Sequence, residues 1–592
     1  MRLLHFARVP AVTFAVVLVA IAGQSAGSAE PPESRAVVAQ SSAPSAAIDS
    51  LPASAKATAA ACAALARDPQ LTVRFAQIPD APTTIDSARL VPAGGDGSAW
   101  EKDLPQMCRI QGLVAPSVGF VLRLPVSTWN GKFIMGGCGG PCGSFLLDRM
   151  TPAVVRGYAA VVTDMGHQGG GWMFAYNNPQ AQIDHAYRAT HVSAVAAKVI
   201  VEAFYARRPA RNYFYGCSTG GRQGMISAQR FPEDFDGILA GSPPWNQTGV
   251  RAFFLLGSAR ANLDANRKPI LDARRLPLIH DAVLAACDAA DGLKDGVLQN
   301  PLACTWDPAA IQCPSSQSGD GQSRAGASGS SCLTSAEAGV VRRIYDGTRN
   351  SAGQRLHRGM PRGSELKWAP VFIDTDGRPG AYLGGPGGIG NVSYNYMSFF
   401  YPPGPGYSGL DFDYDRDPPR LALTEYLWNA ENPDLSRFKA RGGKLILYHG
   451  WDDNQIPGGA SVDYYEMATR TMGGEAATRE FFRLFMLPAT DHCRYGLGGA
   501  EVDWLTHLEN WVEKGQPPDA VIAHHMRTEP YPSRTDLVGN GGDLLIPRFP
   551  LDPASFDRSR PVYDWPDVAR YSGRGDPADA TRWQKAPRRR AQ

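Results

Sequence analysis

Short apolar runs along the chain predict the strands of a buried sheet. They lie at 118–124, 132–135, 158–163, 213–215, 444–448 and 482–487. Between the third and fourth runs, residues 186–206 repeat alanine and valine on one face, which predicts a long helix. A strand, a helix and another strand form a βαβ unit, so the sheet is predicted to be parallel. Residues 505–512 predict a further helix late in the chain.

The middle of the chain lacks this alternation. Residues 243–438 are rich in glycine, proline and aromatic residues, and a Ser/Gly-rich stretch of low complexity lies between Cys313 and Cys332. The pattern predicts an α/β core, made of residues 56–242 and 439–592, that is interrupted by a large inserted lid domain at 243–438. The segments 212–241 and 442–496 are then expected to be adjacent in space.

The first residues have the pattern of an export signal. Arg2 and Arg8 precede the apolar stretch 9–23, and small residues lead to Ala29. A signal peptide at 1–29 is predicted, followed by a flexible Ser/Ala/Pro-rich leader at 30–55, which implies a secreted or periplasmic protein. An uncleaved anchor is the alternative, but the run is shorter than the roughly 20 residues of a spanning helix. No later segment is predicted to be transmembrane.

Charge and cysteine content narrow the possible partners. The 592 residues carry a formal charge of +2, so no strong field favours nucleic acid. The ten cysteines form an even set, and in an oxidising compartment they indicate disulfides. Their spacing gives no tight pair beside a suitably placed histidine, which argues against zinc. No pattern in the sequence indicates an organic cofactor.

A tight turn around Ser218 follows the predicted strand at 213–215. It reads Gly216-Cys217-Ser218-Thr219-Gly220, and a helix is predicted from about Arg222. Gly-x-Ser-x-Gly between a strand and a helix is typical of the nucleophile turn of α/β-hydrolases. The helix directs its positive end at a developing oxyanion. Ser218 is therefore the predicted nucleophile, with the Thr219 N–H as one oxyanion donor; a chance turn is the alternative.

A serine nucleophile requires a base and an acid from later strands. His492 follows the strand at 482–487, and catalytic groups lie at the carboxyl ends of parallel strands, so His492 is the predicted base. The acid is expected after the strand at 444–448, where Asp452 and Asp453 compete. The residues by themselves do not decide between these two carboxylates.

Two cysteines flank these candidates. Cys217 directly precedes the nucleophile and Cys493 directly follows the base. A Cys217–Cys493 disulfide would close a very long loop and would fix the distance between serine and histidine. The alternative is that each cysteine pairs elsewhere.

The second oxyanion donor is expected in the glycine-rich segment 136–143, which follows the strand at 132–135. Glycine lets a backbone approach a substrate closely, and Gly137 is the predicted donor. A Cys138–Cys142 disulfide is expected to stiffen this segment. A flexible turn with no chemical role is the alternative.

An acidic segment of the lid has the composition of a calcium loop. Three carboxylates alternate with glycines there, and hard oxygen ligands on a turning loop suit Ca²⁺. The spacing differs from that of an EF-hand, and Cys287 and Cys304 could staple the loop. The alternative is an acidic surface turn. The predicted ligands are the side chains of Asp288, Asp291 and Asp295 and the carbonyls of Leu293 and Val297.

Together these motifs resemble the tannase and feruloyl esterase family over about residues 58–575. The resemblance rests on Gly216-Cys217-Ser218 with Arg222, on Cys287-Asp288 with Asp291-Gly292 and Asp295-Gly296, on Tyr448-His449-Gly450 with Asp453, and on His492-Cys493. It implies that Asp453 is the acid, that Cys217 pairs with Cys493, and that the acidic segment binds structural calcium. The further disulfides it implies are Cys62–Cys108, Cys287–Cys304 and Cys313–Cys332.

The chain departs from the family at two places. Tyr563 stands near the position where several relatives begin a C-terminal disulfide. The family member that hydrolyses mono(2-hydroxyethyl) terephthalate holds its substrate carboxylate with a lid arginine, but 391–415 contains no arginine here. Arg416 lies between two aspartates and is expected to pair with them. A terephthalate monoester is therefore disfavoured as the substrate.

The expected function is hydrolysis of esters of phenolic acids, feruloyl or galloyl, by a secreted serine esterase. Other aromatic esters, including the terephthalate monoester, are the alternative substrates. Tyr396, Phe399 and Phe400 of the lid are expected to stack on the acyl ring, although such residues are as often simple lid core.

Overall fold

The computed structural model describes residues 59–95, 101–314, 331–369, 371–373, 409–527 and 549–586. All of these belong to one compact unit, residues 55–592. The predicted signal peptide and leader lie outside the described residues, as do the three aromatic residues expected to contact the acyl ring, Tyr396, Phe399 and Phe400. The boundaries of the lid domain remain a prediction.

A nine-stranded sheet runs through the centre of this unit, in the order β1-β2-β3-β5-β4-β6-β7-β8-β9. The strands β1, β2 and β3 are antiparallel, and β3 is antiparallel to β5. From β5 to β9 every neighbouring pair is parallel. The mostly parallel α/β sheet predicted from the sequence is therefore confirmed. Its strands are β1 Thr83–Val91, β2 Met107–Val114, β3 Val118–Pro125, β4 Lys132–Gly136, β5 Ala159–Thr163, β6 Arg211–Cys217, β7 Gly237–Gly241, β8 Lys444–Gly450 and β9 Phe482–Leu487.

Helices connect these strands and cover the sheet. A π-helical turn, Asp184–Arg188, leads into α5, and a second one, Gly249–Leu255, leads into α7. The α-helices are α1 Ala59–Arg67, α2 Pro69–Ala76, α3 Thr151–Val155, α4 Pro179–Ile183, α5 Ala189–Tyr205, α6 Thr219–Arg230, α7 Leu256–Ala261, α8 Leu276–Cys287, α9 Ser335–Asp346, α10 Ala422–Trp428, α11 Ser436–Ala440, α12 Gly459–Thr471, α13 Glu475–Arg479 and α14 Trp504–Lys514. Within the described ranges, no helix is long and apolar enough to cross a bilayer.

The parallel strands are buried on both faces because helices cover both sides of the sheet. Every residue of β5, β7 and β9 is buried. Apolar side chains fill the two faces: Phe214 of β6 belongs to one buried cluster, whereas Tyr213 belongs to another. This packing fixes the carboxyl ends of β4, β6, β8 and β9 at one edge of the sheet, where the loops with the predicted site residues begin.

The chain between β7 and β8 builds a separate apolar cluster. Its described part contains α7 to α11 and no strand, and buried residues such as Phe254, Ile279 and Trp368 pack together there. Ile456, from the loop after β8, also belongs to this cluster. The inserted segment is thus packed directly against a loop of the predicted catalytic core.

Two small antiparallel sheets complete the described C-terminal region. They pair β10 Ala520–Met526 with β11 Phe556–Tyr563, and β12 Val568–Tyr571 with β13 Trp583–Ala586. These four strands were not predicted from the sequence. Tyr563 ends β11.

All ten cysteines are paired in the structure. Each pairing is the one expected from the sequence or from the family resemblance. The disulfides are Cys62–Cys108, Cys138–Cys142, Cys217–Cys493, Cys287–Cys304 and Cys313–Cys332.

Candidate active site

Ser218 lies in a strained turn between β6 and α6. Its backbone has φ 61° and ψ −126°, a combination that non-glycine residues rarely adopt. The turn is crowded: a Cβ atom on Gly216 would lie 2.6 Å from the backbone of Gly220, so only glycine fits. The geometry is that of a nucleophile turn, in which the serine side chain projects beyond the strand. The helix begins at Thr219, three residues earlier than predicted, and its first N–H groups have no partner within the helix.

His492 contacts the carboxylate of Asp453. The Nδ1 atom of His492 lies 2.7 Å from Oδ2 of Asp453, and the carboxylate is completely buried. This contact places the ring proton on Nδ1 and leaves Nε2 as the nitrogen that can accept a proton. Ser218 Oγ hydrogen-bonds to no other residue that the structure describes. Such contacts are often loose in unliganded enzymes and tighten on substrate binding.

A second histidine, His449, contacts the same carboxylate oxygen. Its Nε2 atom lies 3.1 Å from Oδ2 of Asp453 and 3.0 Å from the carbonyl oxygen of Ile456. Both partners are acceptors, so Nε2 carries the proton and Nδ1 accepts from the Ser461 hydroxyl, 2.7 Å away. Neither His449 nor Ser461 was assigned a role from the sequence; His449 lies in the Tyr448-His449-Gly450 motif, and no motif pointed to Ser461.

Hydrogen bonds and charge keep Asp453 ionised. Burial acts to raise its pKa, but the neighbouring His492 and the hydrogen bonds from both imidazoles outweigh burial and hold the pKa well below its usual range. The other oxygen, Oδ1, accepts backbone N–H groups from Gln455 and Ile456, each at 2.9 Å. Each oxygen of this carboxylate thus accepts two hydrogen bonds.

The two other carboxylates near His492, those of Asp452 and Asp491, have different partners or environments. Burial, together with the nearby Asp491, raises the pKa of Asp452 well above its usual value, whereas the hydrogen bond from His492 goes to Asp453. Asp491 pairs with Lys367 of the inserted segment, 3.0 Å away. The geometry therefore favours Asp453 as the partner of His492.

The Cys217–Cys493 disulfide joins the loops of Ser218 and His492 directly. It links residues 276 positions apart in the sequence, with their Cα atoms 6.0 Å from each other. The histidine loop is strained, because Ala489, Cys493 and Tyr495 all have positive φ values. A buried ion pair between Arg494 and Glu501 holds the same loop. These restraints fix His492 beside the nucleophile turn.

The prediction for Gly137 requires correction. Its N–H donates to the Tyr215 carbonyl at 2.9 Å, because the pairing of β4 with β6 continues one residue past the end of β4. An N–H already used in this way is not available to an oxyanion. The segment 136–143, which we call the oxyanion loop, nevertheless lies against α6: the Thr219 hydroxyl donates to the Gly140 carbonyl at 2.8 Å.

The remaining N–H groups of the oxyanion loop can be assigned one by one. Cys138 donates to the side chain of Gln223, Cys142 to the Gly139 carbonyl, and Gly143 to the Asp164 carbonyl. Pro141 has no N–H. At positions 137–143, the N–H groups of Gly139 and Gly140 are then the two without an acceptor among the described residues.

The predicted calcium loop contains two buried carboxylate oxygens that lack hydrogen-bond partners, Oδ1 of Asp288 and Oδ2 of Asp291. Their other oxygens accept backbone N–H groups, from Gly296 and Leu293 respectively. Burial first, and then the neighbouring carboxylates, raise the pKa of Asp291 to about 6. A cation between these oxygens would supply the missing partner.

One ligand of the predicted set is otherwise engaged. Asp295 pairs with Arg560 of β11, and among the described residues no three His, Cys, Asp or Glu side chains converge on one point. The Cys287–Cys304 disulfide closes the loop beside Asp288. The donor chemistry and the two unpartnered oxygens fit a hard cation held by Asp288 and Asp291.

Known proteins resemble the chain over most of its length. A family model described as tannase and feruloyl esterase matches residues 104–586. The mono(2-hydroxyethyl) terephthalate hydrolase of Piscinibacter sakaiensis is 31% identical over 559 residues, which cover 84% of this chain and 87% of that protein. A probable feruloyl esterase B-2 of Aspergillus terreus is 30% identical over 436 residues, 70% of this chain and 78% of the relative.

The fold matches a solved structure of the same kind. The crystal structure of feruloyl esterase B from Aspergillus oryzae superposes with a TM-score of 0.71 at 26% identity, and the match covers 89% of this chain and all of that one. The α/β core and its inserted segment therefore follow the architecture of a known esterase.

Proposed function

Because this chain belongs to the tannase and feruloyl esterase family, we propose that it is a serine esterase that hydrolyses phenolic acid esters through Ser218, His492 and Asp453. That it is a carboxylic ester hydrolase follows from the family itself. The observation that carries the catalytic proposal is the His492–Asp453 contact, held by a disulfide next to the strained Ser218 turn.

The first half of the reaction forms an acyl-enzyme. Ser218 Oγ attacks the ester carbonyl carbon while Nε2 of His492 takes the hydroxyl proton. The negative charge that develops on the carbonyl oxygen is held by the Thr219 N–H and by an N–H from Gly139 or Gly140. His492 then gives its proton to the departing alcohol oxygen, and the carbon–oxygen bond breaks.

The second half releases the acid. A water molecule attacks the acyl carbon, and Nε2 of His492 takes one of its protons. When the second tetrahedral intermediate collapses, that proton returns to Ser218 Oγ and the aromatic acid leaves. Asp453 remains ionised throughout and stabilises the imidazolium form of His492, consistent with the low pKa of this carboxyl.

The substrate class can be tested with a panel of esters. Purified protein is expected to hydrolyse methyl ferulate or methyl gallate with kcat/KM at least about 10-fold above that for mono(2-hydroxyethyl) terephthalate, a difference of roughly 1.4 kcal/mol in transition-state binding. The physical reason is the absence of an arginine at 391–415 to pair with the terephthalate carboxylate. A reversed order would reject the phenolic acid assignment and leave the esterase assignment intact.

The terephthalate monoester is the second candidate substrate. It is favoured by one observation, the 31% identity to the mono(2-hydroxyethyl) terephthalate hydrolase over 84% of this chain. If it is the better substrate, its carboxylate requires a cation from outside 391–415. The same kinetic panel distinguishes the two candidates.

We also propose that the acidic loop of residues 288–297 binds calcium as a structural ion. Removing the ion with EDTA is expected to lower the melting temperature, since a ligand bound only by the folded state stabilises it, by about 2.7 kcal/mol at 100 times its Kd. Asp291→Asn should lower the melting temperature in calcium and should make it insensitive to EDTA. Equal melting temperatures with and without EDTA, and no calcium by elemental analysis, would refute the site.

Export is the third part of the proposal. The five disulfides, covering all ten cysteines, suit an oxidising compartment. The sequence of residues 1–29 supplies the signal, and the mature protein is then secreted or periplasmic. N-terminal sequencing of the protein recovered outside the cytoplasm tests the proposed cleavage after Ala29.

A further inference from the structure

The oxyanion loop is rich in glycine and has little rigidity of its own. Five of its eight residues are glycines, at positions 136, 137, 139, 140 and 143. Glycine loses more conformational freedom on ordering than any other residue, so such a loop does not hold one shape by itself. Oxyanion donors are effective only when they are fixed before the charge develops. Some other part of the molecule must therefore fix the N–H groups of Gly139 and Gly140.

The first restraint is the side chain of Gln223. It lies on α6, five residues after Ser218, and is only 2% exposed. Its Oε1 atom accepts the Cys138 N–H at 3.2 Å, and its Nε2 atom lies 3.1 Å from Sγ of Cys138 and 3.0 Å from Sδ of Met165. The Gln223 amide thus contacts both the backbone and the side chain of Cys138, the residue directly before Gly139.

Helix α6 therefore positions both donors of the proposed oxyanion hole. Thr219, at the start of α6, provides one N–H, and Gln223, one turn further on, holds the loop that provides the other. The fit is close: a Cβ atom on Gly137 would lie 3.0 Å from Oε1 of Gln223. The spacing between the two N–H donors is therefore set by a single rigid helix, α6.

The second restraint is the Cys138–Cys142 disulfide, which spans Gly139 and Gly140. Its Cα atoms are 5.4 Å apart, and inside the turn the Cys142 N–H donates to the Gly139 carbonyl at 3.0 Å. Cys142 has φ 66°, a value that residues with a side chain rarely adopt. The two glycines with unpaired N–H groups are thus enclosed in a closed covalent ring.

We propose that Gln223 and the Cys138–Cys142 disulfide are positioning groups that hold the Gly139 and Gly140 N–H groups where the oxyanion develops. Their side-chain contacts are with the loop and with Met165, so they act through the loop. The proposal rests on the serine esterase mechanism above. It differs from a purely structural role in one respect: loss of the restraint weakens binding of the transition state more than binding of the ground state.

Two sets of variants test whether Gln223 and the Cys138–Cys142 disulfide position the oxyanion loop. One set is Gln223→Met, which keeps the volume but removes the amide, beside Gln223→Glu, which keeps an acceptor for the Cys138 N–H. The other is the double variant Cys138→Ala/Cys142→Ala. The double variant Cys62→Ala/Cys108→Ala is the matched control, because it removes a disulfide between α1 and β2, away from the loop.

Four quantities are measured for each variant: kcat and KM on one aromatic methyl ester, the inhibition constant of an aryl trifluoromethyl ketone, and the inhibition constant of the free aromatic acid. The ketone adds Ser218 Oγ to its carbonyl and places an oxyanion in the hole, whereas the acid reports ground-state binding. We expect Gln223→Met and the Cys138/Cys142 variant to lower kcat by about 10- to 100-fold, less than the 10²–10³-fold loss of a whole donor.

The expected signature is selective. Ketone affinity falls by the same factor as kcat, acid affinity stays within about twofold, and Gln223→Glu recovers part of the loss. The control variant melts at a lower temperature but keeps the parental ratio of ketone to acid affinity. If one set fails to fold, the other still decides.

Two negative outcomes have different meanings. If the ketone binds the parent but both sets of variants keep parental kcat, or lose ketone and acid affinity equally, the positioning role of Gln223 and the disulfide is refuted. If the ketone does not inhibit the parent, or inhibits Ser218→Ala equally, the serine mechanism itself is refuted.

Discussion

Replacing Ser218 with alanine is expected to lower kcat by roughly 10⁶-fold, the scale of loss when a serine hydrolase loses its nucleophile. The reason is chemical: alanine has no atom that can form the acyl bond, so only the oxyanion donors and substrate binding remain to assist attack by water. The change removes one oxygen from a side chain that hydrogen-bonds to no other described residue, so stability should hardly change. Turnover of methyl ferulate and a melting curve check both statements.

Ser193→Ala is the matched control. Ser193 on α5 is completely buried, and its hydroxyl also lacks a partner among the described residues, so the same atom is removed away from the sheet edge. Its kcat should remain within about twofold of the parent, as for a change without a catalytic role. Mass spectrometry of acid-quenched reactions adds a direct observation, an acyl adduct on the parent and none on Ser218→Ala. Activity of Ser218→Ala comparable to the control would disprove the nucleophile assignment.

The parts of the fold that could be predicted are those in which burial leaves a continuous apolar run. The strand at 482–487 was predicted with its observed ends, and β3 and β8 within two residues. β1 was missed because it is largely exposed, and its pattern does not read as a buried strand. β7 was missed because only three apolar residues stand between its two glycines, and its burial comes from neighbours distant in sequence.

The site divides in the same way. Ser218, His492 and the pair of carboxylates Asp452 and Asp453 could be proposed because each follows the end of a strand, and parallel strands bring their carboxyl ends together. The choice of Asp453 over Asp452 came from the family resemblance. The prediction of Gly137 as an oxyanion donor was wrong because its N–H is free only if the pairing of β4 with β6 stops before it. The register of β4 against β6 is a tertiary property. Gln223 carries no pattern of its own, and His449, although part of a motif, could not be given a role, since the partners of both are defined only by the folded backbone.

Asp453→Asn is expected to reduce kcat by about 10⁴-fold while the fold is retained. The Oδ1 position accepts the N–H groups of Gln455 and Ile456, so the amide oxygen of asparagine must take this place. The amide NH₂ group then faces His492 and can only donate. Nδ1 of His492 must accept, the ring proton moves to Nε2, and the base can no longer take a proton from Ser218. His449 meets the same NH₂ group with its own N–H, which adds a donor–donor clash.

Asp452→Asn separates this effect from the loss of a buried carboxylate in general. The pKa of Asp452 is raised well above its usual value by burial and by Asp491, so asparagine resembles the protonated form, and kcat should stay within a few-fold. The pKa of Asp453 is shifted the opposite way, so this carboxylate remains charged as the pH falls and does not set the acidic limb of the parental pH–rate profile. A larger loss in Asp452→Asn than in Asp453→Asn would reverse the assignment of the acid. Comparable losses in both would mean that the charge of the loop after β8, and not the tautomer of His492, supports the reaction.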